Sequence, residues 1–378
     1  MKKLLVVISI LIILSVIVVG YSLPKDSKNL KVVAVGDNLI HPVVYNDAKV
    51  GKNTFDFKPM YSHIKPYIHK SDVAYINQES PLGGDDIPYS GFKRFNTPSS
   101  ISKDVIDTGF NLINGSNNHA LDQGTEGLRN NIDVWKKYQT NALFTGVFDS
   151  KKERDKTPIL NKKGTKISML SYTFGTNGLK PDHPYQINYI NKQNMSKDIA
   201  KAKKKSDVVM VSMHWGNEGS HQPNSKQKDI ADFLAKKNVD VVIGMHPHVI
   251  QPVKWKKGTN GHKTLVAYSL GNFLNGQETG TASNDLGGSI EFDIDKKENK
   301  NKIKNVKWRS IVNHYEIKDP SDLDTRHNFK LYMLDDYTDK LSNKHDRNHK
   351  KHGNMDKSRL EHITKDVIDK KYLDSKSY

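Results

Sequence analysis

Short apolar runs alternate with amphipathic stretches over most of the chain. The runs typical of buried strands are LKVVAV (30–35), VAYI (73–76), FNLI (110–113), KISML (166–170), VVMVSM (208–213), VDVVI (239–243) and LVAYS (265–269). Helical periodicity occupies 126–138, with Thr125 as the expected N-cap, and 225–237, where Ile230, Phe233 and Leu234 share one face. Strands alternating with helices predict an α/β fold with a substantially parallel sheet.

The two ends of the chain follow other patterns. Lys2 and Lys3 precede an apolar or small run from Leu4 to Gly20, which is typical of a membrane-targeting segment. Its length is at the short end of the roughly 17–25 residues that a spanning helix needs. Residues 18–22 offer no small-x-small cleavage site, which favours an uncleaved single-pass anchor with the body outside the cell.

These patterns divide the chain into four parts. We expect a membrane anchor or signal segment at 1–22, a linker at 23–30, a main domain at 31–334 and a charged C-terminal tail at 335–378. Near the end of the main domain, 291–317 predicts two strands joined by a lysine-rich hairpin. The tail has few apolar positions, so it is expected to be either a loosely attached helix or disordered.

Composition narrows the chemistry. Cysteine is absent, so disulfides and thiolate metal sites are excluded, and any metal must be held by His, Asp, Glu or Asn. The net charge of +17 favours a polyanionic partner such as anionic lipid, a phosphorylated wall polymer or an acidic capsule. Nucleic acid is not expected behind a membrane-targeting segment. A lysine-rich proteome would give the same charge without any such partner.

Polar side chains follow five of the predicted strands at the point where each strand ends. In chain order they are Asp37 and His41, Asn77 and Glu79, Asn117 to His119, His214, and the pair His246 and His248. One His-x-His or Asn-Asn-His stretch is weak, because such residues are common in turns. Together, at the edge where an α/β sheet opens its ligand crevice, they predict a metal site. Imidazole, carboxylate and amide ligands suit Mn, Zn or Fe.

Several motifs also carry a family resemblance. GDNLIH (36–41), NQESPL (77–82), GFKRFNTP (91–98), NGSNNHALDQGTEGL (114–128), SMHWGNE (212–218), GMHPHVIQP (244–252) and YSLGNF (268–273) resemble, in order and spacing, the poly-γ-glutamate capsule biosynthesis family of the CapA or PgsA type. That family is similar to the calcineurin-like metallophosphoesterases. The resemblance therefore implies a four-layer α/β/β/α sandwich with a site for two divalent ions at one edge.

The resemblance also implies roles for individual residues. One metal would be held by Asp37 and His248, with His41 as a further candidate, and the other by Asn118, His214 and His246. Glu79 would lie between the metals, and His119 would act as acid or base. The sequence departs from the superfamily pattern twice: the first histidine comes four positions after Asp37 instead of two, and Glu79 replaces the usual bridging aspartate.

A basic pair lies between these motifs. Lys93 and Arg94 are candidates for holding a carboxylate or phosphate of the substrate. They would equally suit a solvated basic loop.

Three functions stay open at this point. The chain could be a membrane-anchored, outward-facing component of poly-γ-glutamate synthesis and export, working beside other membrane components of the synthase. It could be an extracellular metal-dependent hydrolase of a phosphoester or of the polymer amide. It could also be a non-catalytic module that binds poly-γ-glutamate or another acidic polymer. The missing second-position histidine favours the last, and the full ligand set favours the hydrolase.

Overall fold

The structure is a computed structural model that describes residues 29–297, 300–349 and 354–378. The strands are β1 (Asn29–Leu39), β2 (Lys49–Gly51), β3 (Thr54–Phe55), β4 (Val73–Gln78), β5 (Leu112–Asn114), β6 (Leu143–Thr145), β7 (Ile159–Lys162), β8 (Thr165–Thr173), β9 (Val208–His214), β10 (Val241–Met245), β11 (Ile250–Lys257), β12 (Lys263–Leu270), β13 (Asn272–Asn275), β14 (Leu286–Lys297), β15 (Lys300–Ile317) and β16 (Arg326–Met333). The helices are α1 (Pro42–Asp47), α2 (Lys58–Tyr61), α3 (Lys65–Ile68), α4 (Ile101–Asp107), α5 (Gly124–Lys136), α6 (Lys151–Arg154), α7 (Lys192–Lys205), α8 (Ser225–Lys236), α9 (Ala282–Asp285), α10 (Asp339–Ser342) and α11 (Lys357–Val367). Short 3-10 turns occupy Leu323–Thr325, Leu334–Asp336, Asp346–His349 and Lys370–Tyr372.

The anchor predicted for residues 1–22 lies outside the described residues, as does most of the expected linker. Within the ranges that are described, no helix combines the length and the apolar character needed to cross a bilayer.

Two mixed sheets form the body. The larger has the order β16-β15-β14-β1-β4-β5-β6, with β13 also paired to β1, and the smaller has the order β11-β12-β10-β9-β8-β7. Strands β1, β4, β5 and β6 run parallel in the larger sheet, as do β8, β9, β10 and β12 in the smaller one. The predicted α/β fold is therefore confirmed, with antiparallel strands added at the flanks.

Successive strand residues face opposite layers, and this alternation builds separate cores. Val32 and Tyr75 of the larger sheet pack with Met210 and Ile243 of the smaller one, which fills the space between the sheets. The other face of the larger sheet packs against α1 to α5, and the other face of the smaller sheet packs against α7 and α8. The layers thus run helix, sheet, sheet, helix.

Helix starts differ partly from the sequence prediction. Helix α5 begins at Gly124, and its N-cap position is Gln123 instead of Thr125. Helix α8 lies where it was expected, because Asn224 and Gln227 form a reciprocal capping box at its start.

The C-terminal segment differs most from its prediction. Leu360 and Tyr372 belong to the same core that lies between the sheets, and Met355 and Ile368 join them there. The segment is also hydrogen-bonded to β15, since the Ser377 hydroxyl donates to the Trp308 carbonyl at 2.7 Å. The described residues beyond 334 are therefore a packed part of the fold: they include the expected helix, as α11, but that helix is not loosely attached.

Candidate metal centre

The polar side chains that follow the central strands meet at the edge shared by both sheets. The larger sheet contributes Asp37 within β1, Glu79 just after β4, and Asn118 and His119 after β5. The smaller sheet contributes His214, the last residue of β9, and His246 and His248 after β10. All seven are at most 5% exposed. The parallel strands point their carboxyl ends the same way, so their loops deliver these groups to one place.

Two groups of potential ligands share Glu79. One is Asp37, Glu79 and His248, and the other is Glu79, His214 and His246; within each group one ligand atom per residue lies within 4.8 Å of the others. The amide of Asn118 lies beside the second group, because its Oδ1 is 2.8 Å from His214 Nε2.

A further combination was not predicted. Glu218, which is exposed, lies within the same distance limit of His246 and His248. It is a candidate ligand at the solvent side of the site.

The buried polar atoms of this cluster fit a metal ion. Glu79 is fully buried, yet neither of its carboxylate oxygens has a hydrogen-bond partner within the described structure. Two histidine nitrogens lie near it, His214 Nε2 at 3.4 Å and His248 Nε2 at 3.8 Å. Nδ1 of His214 and of His246 is likewise without a partner among the described residues. Buried polar atoms are rarely left in this state, and metal coordination would satisfy them.

The electrostatics point the same way. Burial opposes a charge on His248, but the carboxylates of Glu79 and Asp37 outweigh it and raise the pKa of His248 to about 10. Burial would also raise the pKa of Glu79, yet the neighbouring His248 and His214 hold that pKa well below its usual value. Burial and the adjacent histidines lower the pKa of His246. The cluster therefore stabilises positive charge between Glu79 and Asp37.

Asp37 is oriented by several hydrogen bonds. Its Oδ1 accepts from Asn77 Nδ2 at 2.7 Å, and its Oδ2 accepts from the backbone N–H of His246 at 3.2 Å. His248 Nδ1 lies 3.2 Å from the same Oδ2 and 2.9 Å from Asn272 Oδ1. Such supporting contacts fix the tautomer and ring direction of a ligand histidine.

The loop that carries the two histidines has an unusual backbone. His246 has φ +94° and His248 has φ +57°, a region that costs energy for residues other than glycine. Gly244 precedes them where any side chain would collide, since a Cβ there would lie 1.9 Å from the Tyr268 carbonyl oxygen. The close approach of β10 to β12 thus sets where both rings can point.

His119 forms a dyad with an acid that the sequence analysis missed. Its Nδ1 lies 2.7 Å from Asp122 Oδ2, which also accepts from the backbone N–H of Phe95 at 2.8 Å. The dyad holds the ring in place and leaves Nε2 for proton exchange. The i, i+3 spacing of His119 and Asp122 was a readable signal.

Three further candidates, His41, Lys93 and Arg94, also lie outside both ligand groups. His41 Nδ1 accepts from the backbone N–H of Gly276 at 3.2 Å, so His41 faces that loop. Lys93 and Arg94 are exposed. Their loop ends at Phe95, whose ring packs edge-on against His41 and His119. They are thus near the site without joining either group.

The rim also contains residues that no motif suggested. Asn177 Oδ1 accepts from Asn118 Nδ2 at 3.2 Å. Phe174, 51% exposed, lies with its ring centroid 4.6 Å from that of His246. Both belong to the loop after β8, a strand that ends at Thr173 and has no histidine there to suggest a site.

Comparison with known proteins assigns the family. The profile described as "Bacterial capsule synthesis protein PGA_cap" matches residues 31–277. The chain belongs to this family. The matched region contains every candidate ligand and His119, whereas the C-terminal segment that completes the core lies beyond it.

Two relatives from Bacillus are similar to this protein over part of the chain. "PGA biosynthesis protein CapA" of Bacillus subtilis (strain 168) is 28% identical over 229 residues, covering 57% of this chain and 56% of that protein. "Capsule biosynthesis protein CapA" of Bacillus anthracis is 27% identical over 263 residues, covering 66% and 61%. The chain therefore spans less than two thirds of the length of either relative.

Solved structures were also compared. The calcineurin-like phosphoesterase YfkN from Bacillus subtilis is 15% identical, with a TM-score of 0.41, over 75% of this chain and 90% of that one.

Proposed function

We propose that this PGA_cap family member is a component of poly-γ-glutamate capsule synthesis whose sheet-edge site holds two divalent ions and hydrolyses a phosphoester or an amide of the polymer. The observation that carries the proposal is Glu79, a fully buried carboxylate that has no hydrogen bond among the described residues and belongs to two groups of potential ligands. Family membership and the names of the two Bacillus relatives support the link to capsule synthesis.

The ligand sets follow from the grouping of side chains. Asp37 and His248 would hold one ion, His214, His246 and Asn118 the other, and Glu79 would contact both. Bound Mn, Zn or Fe would supply Lewis-acid activation of water and stabilisation of negative charge on the attacked group. The chain's own part is to fix the ligands through Asn77 and Asn272 and to exclude bulk water by burying them.

Proton transfer falls to the dyad. Asp122 orients His119 through Nδ1, so His119 Nε2 would give a proton to the leaving group, a contribution of typically about 10²–10⁴-fold. Lys93 and Arg94 would bind an acidic group of the substrate from the loop that ends at Phe95.

The proposal is tested by a pair of substitutions. Glu79→Gln keeps the shape of the side chain and removes its charge, so the purified protein should lose at least one of two bound ions and its hydrolytic activity. His119→Ala should keep both ions and lose about 10²-fold or more in activity. Metal content is measured by elemental mass spectrometry, and activity with p-nitrophenyl phosphate and with a γ-linked glutamate oligomer. Two ions retained in Glu79→Gln would contradict the ligand assignment.

A non-catalytic role is the second candidate. The observation that favours it is His41, which bonds to Gly276 instead of joining the first ligand group. In that case capsule production in cells carrying His119→Ala would equal that of the wild type.

The place of action belongs to the same proposal. The sequence pattern of residues 1–22 supports a single-pass anchor with the body outside the cell, beside the other membrane components of the synthase. Removing these residues should release the protein from the membrane fraction. Retention there without them would contradict the anchor.

A further inference from the structure

A second concave surface lies at the opposite edge of the smaller sheet. This basic groove has a volume of about 880 Å³ and lies between the β11–β12 turn and residues 302–304 of β15. Val209, near the start of β9, lines it, whereas His214 ends the same strand at the metal centre. A strand rises about 3.3 Å per residue, so the five steps from Val209 to His214 separate groove and metal centre by roughly 17 Å.

Lysines dominate the lining. The groove contains two aspartates, Asp207 and Asp240, and six lysines: Lys203, Lys256, Lys257, Lys263, Lys302 and Lys304. Both aspartates are already engaged by backbone, since Asp207 accepts from Lys166 N–H and Asp240 from Val209 N–H, each at 2.8 Å. The six lysines nevertheless outnumber these two carboxylates, so the lining keeps an excess of positive charge.

Half of the lysines have partners within the fold. Lys203 Nζ donates to the Lys237 carbonyl at 3.0 Å, and thereby caps the end of α8. Lys256 pairs with Asp232 at 2.8 Å, and Lys304 pairs with Asp295. These three are accounted for by structure alone.

The other three lysines of the groove are not explained by such contacts. Lys257, Lys263 and Lys302 are exposed, and none has a carboxylate within ion-pair distance among the described residues. Lys257 and Lys263 are moreover directly opposite each other in the β11–β12 ladder. Like charges in that position destabilise a strand pair unless an anion lies between them.

We propose that this groove binds an extended polycarboxylate chain, the acidic polymer on which the metal centre would act. The identity of the polymer rests on the proposed function, whereas the groove itself does not. The basic side chains that line the groove are six lysines and His262. Its lysines are point charges spread along an open channel, which suits a flexible chain with a carboxylate on each unit.

A tryptophan in the groove can report binding through its fluorescence. Of the four tryptophans in the chain, Trp135, Trp215 and Trp308 are buried, while Trp255 is half-buried and lines the groove. A polymer seated between the lysines should therefore change the emission of Trp255. Trp255→Phe should abolish that change without loss of binding measured by a labelled polymer.

The test compares two triple variants of equal charge. The groove variant is Lys257→Glu, Lys263→Glu and Lys302→Glu, and the control is Lys52→Glu, Lys65→Glu and Lys70→Glu, whose lysines are exposed and lie outside the groove. Affinity for fluorescent poly-glutamate is measured at about 0.1 M salt, where charges act over ~10 Å. We expect the groove variant to bind about tenfold or more weakly and the control to bind like the wild type. A Lys→Gln triple at the groove positions should give an intermediate loss and guards against misfolding.

The outcomes separate groove from metal centre. Equal losses in both triples, or no loss in the groove triple, would overturn the proposal. A single-stranded oligonucleotide that binds as tightly as poly-glutamate, and is lost in the same variant, would overturn the assignment to a carboxylate chain. The groove variant should keep wild-type metal content and hydrolysis of p-nitrophenyl phosphate, and Glu79→Gln should keep wild-type poly-glutamate binding. A negative result for the groove can therefore be distinguished from a negative result for the metal centre.

Discussion

Arg347 offers a strong test of how the C-terminal segment is held. Its side chain is fully buried, and its Nε pairs with Asp285, which is equally buried. The two terminal nitrogens donate to the carbonyls of Gly280 at 3.1 Å and Gln277 at 3.2 Å. Arg347, which lies beyond the residues that the family profile matches, therefore links the C-terminal segment to the loop after β13.

Replacing Arg347 with Met keeps much of the side-chain volume and removes these contacts. Asp285 would keep the donors Asn313 Nδ2 and Tyr315 OH, each at 3.0 Å, and Asn275 Nδ2 at 3.4 Å. Breaking a buried ion pair from one side costs about 3–5 kcal/mol, because the remaining charge stays desolvated. We therefore expect the free energy of unfolding at neutral pH to fall by about that amount.

The loss should depend on pH with a defined sign. Burial would raise the pKa of Asp285, but Arg347 and His345 outweigh it and hold that pKa below its ordinary value of 3.8. In the wild type this contribution is fully present above pH 3.8 and is lost only as pH falls through the lower folded value. Without Arg347, burial should raise the pKa of Asp285 instead, so protonation in mild acid relieves the buried charge. The difference between variant and wild type should therefore shrink as pH falls from neutral towards 4.

Urea unfolding at pH 7.5 and pH 5 measures both quantities, provided that the slope with denaturant is unchanged. Arg359→Met is the matched control, because Arg359 is exposed on α11 and has no ion pair within the described residues. A loss below about 1 kcal/mol would place Arg347 in the range of a surface pair and refute the reasoning. A loss of full size that is the same at both pH values would refute the assignment to the Asp285 charge.

Two further substitutions probe the metal centre. Gly244→Ala would place a Cβ 1.9 Å from the Tyr268 carbonyl oxygen, so the free energy of unfolding should fall by about 1–3 kcal/mol and the metal content should also fall. Gly175→Ala is the control, because nothing lies within 4 Å of a Cβ there, and it should change neither quantity. A fully stable, metal-loaded Gly244→Ala protein would contradict the packing argument. Asp122→Asn removes the negative charge that faces His119 Nδ1, so turnover should fall about tenfold or more while metal content stays constant. Loss of the metal as well would mean that Asp122 supports the ligands.

The sequence predicted the cluster of polar side chains at the sheet edge better than the periphery. His214, His246 and His248 could be placed because each directly follows an apolar run, and parallel strands bring such positions together. Glu218 could not, because it lies four residues beyond His214 in a loop whose path depends on tertiary contacts.

The C-terminal segment was missed for a related reason. Leu360 and Tyr372 are separated by charged residues and show no clear hydrophobic periodicity. Their burial therefore depends on the core that forms only when the two sheets have folded. The expected N-cap Thr125 failed because the chain enters α5 at Gly124, whose φ of +63° is a local geometry that residue type alone does not reveal.

Strand β1 has a consequence for how the protein reaches its native state. Its neighbours are β4, soon after it in the chain, and two distant strands: β13, where Asn272 lies opposite Asp37, and β14, where Ile290 lies opposite Ala34. Pairing across such a separation is slow, because loop closure is costly before the contacts form. During synthesis one side of β1 therefore stays unpaired until β13 and β14 have been made. Partially made chains would expose this unpaired edge, which favours aggregation.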